Sequence, residues 1–236
     1  MADLARSANL DAVEWGTDVH VPLDDALAQD HIREWAGNGG PAVASLGTYF
    51  RADPSAFPGE IDAIIAAARR ADAPRVRVWA GAQPSESANF SYRSMVVGKV
   101  RELAEAGAEA ALTVGIELHE GTLADTEVSA ARLLDEIDRP NVGSYWQPGV
   151  GIPAAHALSG LHLLVDRVVA VHAFSWWPSY ERQTLSARPA LWRPAFDLLR
   201  SQNRPLDVLL EFVPNDDPSL LAREADALRG LIQESS

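Results

Sequence analysis

The chain has 236 residues, 47% hydrophobic and 22% charged, with 33 acidic against 20 basic side chains and a formal net charge of −13. A surface this acidic repels phosphate backbones and argues against nucleic-acid binding. The absence of cysteine removes disulfides and thiolate metal sites, leaving His, Asp, Glu and amide oxygens as possible ligands.

The opening stretch, MADLARSANLD, carries Asp3 and no apolar core, so it does not read as a signal peptide. No segment reaches membrane-spanning length, and a cytoplasmic location is expected. A short helix is predicted over Leu4 to Ala8, ahead of the first strand, AVEWG (Ala12–Gly16). Further strands are predicted at Ala42–Gly47, Val76–Ala80, Leu112–Leu118, Val142–Gln147, Val168–Phe174 and Val208–Val213. Between them lie amphipathic segments with helical spacing, such as Ile61, Ile64, Ile65 and Ala68, or Ala130, Leu133, Leu134 and Ile137. Asp217-Pro218 starts the last helix. Strand–helix alternation implies a parallel sheet, and no low-complexity linker interrupts it, so residues 1–236 read as a single domain.

About seven strands are visible where a closed (β/α) barrel needs eight. The expected fold is therefore a (β/α)8-type TIM barrel lacking the first β-strand. A chain start that falls late, so that Met1 is internal to a longer frame, ranks first as the cause. A barrel patched by the N-terminal segment or by another subunit ranks second. A doubly wound sheet ranks below both, because WGTDVHVP is not the Gly-rich loop such folds carry.

In a barrel, alternate strand residues point inward and chemistry gathers at strand ends. By parity Glu117, Gln147, His172 and Glu211 all point inward at the same end of four consecutive strands. Two carboxylates, an amide oxygen and an imidazole are most simply held together by a divalent cation. Taken singly, each has a plain structural explanation, a solvated rim acid or a satisfied core histidine. Together at matching depth they are a candidate metal site.

These residues sit in segments that resemble the xylose-isomerase-like barrel superfamily of sugar isomerases and epimerases. The carriers are IELHEGTLADT (Ile116–Thr126), PNVGSYWQP (Pro140–Pro148), VVAVHAF (Val168–Phe174) and LLEFV (Leu209–Val213), and the likeness runs from about Asp11 to Asp217. The resemblance implies a divalent metal (Mn²⁺, Mg²⁺, Co²⁺ or Zn²⁺) held by Glu117, Gln147, His172 and Glu211. It also implies proton abstraction beside a metal-polarised carbonyl, with Glu117 and Glu211 as acid and base. Gln147 replaces the family's usual Asp, which removes a negative charge and predicts weaker metal affinity and a more electrophilic ion. The family's second histidine has no counterpart, since Gly149, Val150 and Gly151 follow.

Candidate substrate-binding residues are His119, His20, Glu14, Arg77, Trp79, Trp176 and Arg182. His119 reads equally as a group orienting Glu117 and as a solvent-facing loop histidine. Trp176 offers an aromatic platform or loop packing. Arg182 offers a grip on an anionic group or a surface ion pair. The expected partner is a small sugar or polyol, with no nucleic acid or membrane and with a homo-oligomer in view. Alternatives on the same frame are a lyase or dehydratase, and a catalytically degenerate barrel that binds a sugar or a partner protein.

Overall fold

A computed structural model describes residues 2–234; Met1, on which the question of the chain start rests, lies outside them. Seven strands are parallel and lie side by side in the order of the sequence. This is the strand sequence of a TIM barrel one strand short of eight. No helix among the described residues is long and apolar enough to cross a membrane. The chain divides into two compact units, Ala12–Tyr145 and Met1–Asp11 with Trp146–Ser236, here the first and second units.

The first unit repeats strand and helix: β1 (Ala12–Gly16), α2 (Ala26–Gly37), β2 (Ala42–Gly47), α3 (Glu60–Arg70), β3 (Arg75–Val78), α4 (Phe90–Ala108), β4 (Thr113–Glu117), α5 (Glu127–Ile137) and β5 (Val142–Trp146), which ends at the boundary. Short polar residues start the helices. Asp25, Asn89 and Thr126 accept from the backbone N–H groups of Ala28, Tyr92 and Ser129, satisfying donors the first turn leaves open. The outward strand face is apolar and packs on helices; Trp15 meets Trp35 of α2 edge to face at 6.1 Å. The inward face carries Glu14, Ser45, Gly47, Arg77 and Glu117. Parallel register sets Arg77 opposite Gly47 on β2 and Gly115 on β4.

The second unit holds α1 (Ala2–Ser7), α6 (Ala154–Leu164), β6 (Val168–Ala173), α7 (Pro189–Arg200), β9 (Asp207–Leu210) and α8 (Leu221–Glu234). β6 and β9 pair in parallel, with His172 beside Leu209 and Ala173 beside Leu210. Trp192 of α7 fills the helix–strand layer, with Trp146 at 6.0 Å and Phe196 stacked at 5.4 Å. The N-terminal helix is fastened to α8, where Arg229 donates to the carbonyls of Ala8 and Asn9. A two-stranded antiparallel hairpin, β7 (Ser175–Trp176) and β8 (Arg182–Gln183), follows β6.

The seven predicted strands are the seven parallel strands, with shifted ends. β3 stops at Val78 and β9 at Leu210, so Trp79 and Glu211 stand just past the ladder, where side chains are released toward a site.

Candidate functional site

In the first unit, an ion-pair array crosses four strands. Arg77 Nε donates to Glu14 Oε1 at 2.8 Å, and Arg77 Nη1 donates to Glu117 Oε2. Ser45 Oγ donates to Glu14 Oε2 at 2.6 Å, and Trp79 Nε1 donates to Glu117 Oε2 at 2.5 Å. The Glu117 side chain is only 3% exposed and that of Arg77 11%. Burial pulls the Arg77 guanidinium down, but the Glu117 and Glu14 carboxylates outweigh it and hold its proton affinity above the ordinary range. Glycine makes the crossing possible: a Cβ on Gly47 would lie 2.7 Å from Arg77 Nη2 and 2.9 Å from Glu14 Oε1.

Trp79 links this array to the rim. Its ring lies 4.4 Å from that of His119 and 5.5 Å from that of Tyr49, with the guanidinium carbon of Arg51 4.3 Å from its centroid. The Glu120 carbonyl accepts from His119 Nδ1 at 2.7 Å, which leaves Nε2 as the acceptor nitrogen. Burial and the Asp18 carboxylate push the Tyr49 phenol above its usual value.

In the second unit, three donor groups converge. His172 Nδ1 lies 2.8 Å from Gln147 Oε1 and 3.6 Å from Glu211 Oε1. His172 is 2% exposed, next to last on β6, while Gln147 and Glu211 follow the last residues of β5 and β9. An amide oxygen, an imidazole nitrogen and a carboxylate oxygen this close fit a hard or borderline divalent cation. Beside Glu211, Phe212 packs on Trp176 at 4.8 Å, and Arg182 lies over both rings while pairing with Asp216. The buried indole nitrogen of Trp176 has no hydrogen-bond partner among the described residues, so a ligand hydroxyl there would satisfy it.

The first unit thus brings Glu117, Arg77, Glu14, Trp79 and His119 together. His20 stands apart: it is exposed, in the turn after β1, with its ring 6.2 Å from Trp15. His31, His156 and His162 lie exposed on α2 and α6. Sequence reasoning passed over Ser45 and Arg51. AVASLG shows no charged residue, so the hydroxyl facing Glu14 was legible only from the parity it shares with Gly47.

A strand-ordered parallel α/β chain, with donor side chains where strands end, defines the class: a TIM-barrel protein with a strand-end site. A model of the xylose isomerase-like TIM barrel matches residues 2–173, most of the chain. The protein belongs to that family. No curated protein matches the sequence.

Solved structures match over nearly the whole chain. One is described as the probable 3-DHS dehydratase AsbF of Bacillus anthracis, with TM-score 0.73, 16% identity, 97% of this chain and 92% of that one. A xylose isomerase-like TIM barrel protein from Mycobacterium smegmatis, in complex with magnesium, gives TM-score 0.70 and 16% identity over 98% and 87%. The 3-keto-D-glucoside 4-epimerase YcjR of E. coli gives 0.73 and 18% over 95% and 91%. At these identities the likeness establishes the fold.

Proposed function

We propose that this protein is a divalent-metal-dependent isomerase or epimerase of a sugar or keto-sugar. The observation that carries this reading is the convergence of Gln147, His172 and Glu211 at the ends of three strands. In a chain of this family, the matching end of β4 carries Glu117. These four residues would hold the cation, with Glu117, His172 and Glu211 as the charged and imidazole ligands. When bound, such an ion polarises a carbonyl and steadies negative charge developing on its oxygen.

The chain's own residues do the rest. One of Glu211 and Glu117 takes the proton from the carbon beside the carbonyl, and the other returns one. Return to the opposite face gives an epimer; return to the neighbouring carbon gives the aldose–ketose isomer. Arg77 and Trp79 hold the Glu117 carboxylate in one orientation from two directions, so its reach to the substrate is fixed rather than searched. His119 Nε2 and Trp176 Nε1 are an acceptor and a donor for substrate hydroxyls, and the Trp176 ring offers an apolar sugar face a platform.

Deuterium exchange tests the reading. With Mn²⁺ in D₂O, a panel of ketohexoses should take up deuterium at the carbon beside the carbonyl, by NMR, and yield an epimer or aldose. Glu211→Gln should abolish uptake. No exchange with any ketose or keto-glycoside would contradict the proposal.

A dehydratase is the second reading, supported by the likeness to the Bacillus anthracis protein. It shares the first proton transfer but releases water, so an unsaturated product in the same assay would select it.

A further inference from the structure

The hairpin β7–β8 of the second unit is firmly rooted at its base and lightly fastened along its side. At the base, Trp192 Nε1 of α7 donates to Ser175 Oγ at 3.1 Å, and Leu185 N–H donates to Glu224 Oε2 of α8 at 2.8 Å. Ser175, Leu185, Trp192 and Glu224 are all buried, so both ends of the segment are anchored in the core. Between them, residues 177–181 are exposed.

An ion pair and an aromatic stack hold the side. Arg182 on β8 pairs with Asp216, beyond β9, and its guanidinium carbon lies 5.2 Å from the centroid of Trp176 and 4.8 Å from that of Phe212. The side chains of Arg182 and Asp216 are 29% and 71% exposed. A pair this open to water contributes little and is screened by salt. Its position is nonetheless specified: Asn215 and Asp216 are both left-handed, at φ +58° and +53°, a conformation few side chains adopt. Along the other edge Gly151 N–H donates to Trp176 O at 3.2 Å, and the Arg188 guanidinium lies 5.0 Å from the Trp177 ring.

The hairpin seals in a donor that the protein leaves incomplete. Trp176 Nε1 is buried with no hydrogen-bond partner among the described residues, and an unmade bond of a buried donor works against the closed arrangement. A ligand hydroxyl can reach that nitrogen only when the hairpin lifts. Once there it removes the defect and so favours closure.

We propose that β7–β8 is a lid hinged at Ser175 and Leu185, latched by the Arg182–Asp216 pair, which opens to admit a hydroxylated ligand to Trp176 Nε1. That this ligand is the substrate rests on the function proposed above; the motion of the hairpin does not.

Indole N–H exchange into D₂O, followed by ¹⁵N NMR on the ligand-free protein, reads the lid directly. The signals are assigned with Trp176→Phe, Trp146→Phe and Trp192→Phe. Trp146 Nε1 is also buried without a partner among the described residues, but its residue is packed on Trp192 in the core. Trp176 should exchange at least about tenfold faster than Trp146, because the lid opens locally. Asp216→Asn should speed Trp176 about threefold, as should about 0.5 M NaCl on the wild type, while Trp146 and Trp192 stay within about twofold. Salt should add nothing further to Asp216→Asn.

Equal exchange at Trp176 and Trp146 would show a fixed wall. Acceleration of Trp192 together with Trp176 would show the unit unfolding rather than a hinge at Ser175. A Trp176 rate indifferent to Asp216→Asn would remove the latch. Each of these results overturns the proposal. Neither sugar nor metal enters the measurement, so its failure is distinct from a failure of the ketohexose assay.

Discussion

Arg77 is the residue on which the first unit's site turns. It lies between two carboxylates with a side chain 11% exposed, against 14% for Glu14 and 3% for Glu117. Removing one partner of a buried pair is costly because the remaining charge stays desolvated. Arg77→Met should therefore lower unfolding free energy by about 3 kcal/mol in urea titrations. Glu105→Ala breaks the exposed pair with Arg139, whose side chains are 33% and 63% exposed, and should cost less than about 1 kcal/mol. Equal losses would show that the Arg77 array is solvated. The array was partly legible in the sequence. Parity places Glu14, Arg77, Trp79 and Glu117 on one strand face, but it cannot tell that Arg77 would bond both acids. That depends on the register that sets it between Gly47 and Gly115.

At the scale of elements, those glycines are the constraint. A methyl group on Gly47 meets Arg77 Nη2 at 2.7 Å. Gly47→Ala should destabilise the protein by about 1–3 kcal/mol while leaving far-ultraviolet circular dichroism unchanged, because the strand itself tolerates alanine. If stability is unmoved, the guanidinium is free to shift aside. Helix starts make a separate prediction. Thr126→Ala removes the acceptor for Ser129 N–H at the head of α5 and should cost about 1 kcal/mol by thermal or urea unfolding.

Elements were readable where periodicity is strong. All seven parallel strands and the helices α3, α5 and α8 follow from hydrophobic spacing, whereas β3 and β9 end two or three residues before their apolar runs do. Hydropathy records burial, not where hydrogen bonding stops, and the site begins where the ladder ends. The hairpin Ser175–Trp176 with Arg182–Gln183 left no trace in the pattern, because two-residue strands are too short to show alternation.

For the whole molecule, the strand order, the count of seven and the position of α1 ahead of β1 were all legible, because β-α alternation is a long-range signal. His172 and Glu211 were legible as strand-end donors, and the second unit brings both Gln147 and Glu211 to His172. Arg51 was not, since a lone loop arginine carries no periodicity; only its fixed place over Trp79 gives it meaning.

Calorimetric titration of Mn²⁺ into EDTA-stripped protein tests whether a divalent cation sits at the glutamine corner. One ion should bind per chain, with at least about tenfold weaker binding in His172→Ala and Glu211→Ala, and tighter binding in Gln147→Asp, which adds the missing charge. Absence of binding in the wild type, or binding that all three substitutions leave unchanged, would contradict it.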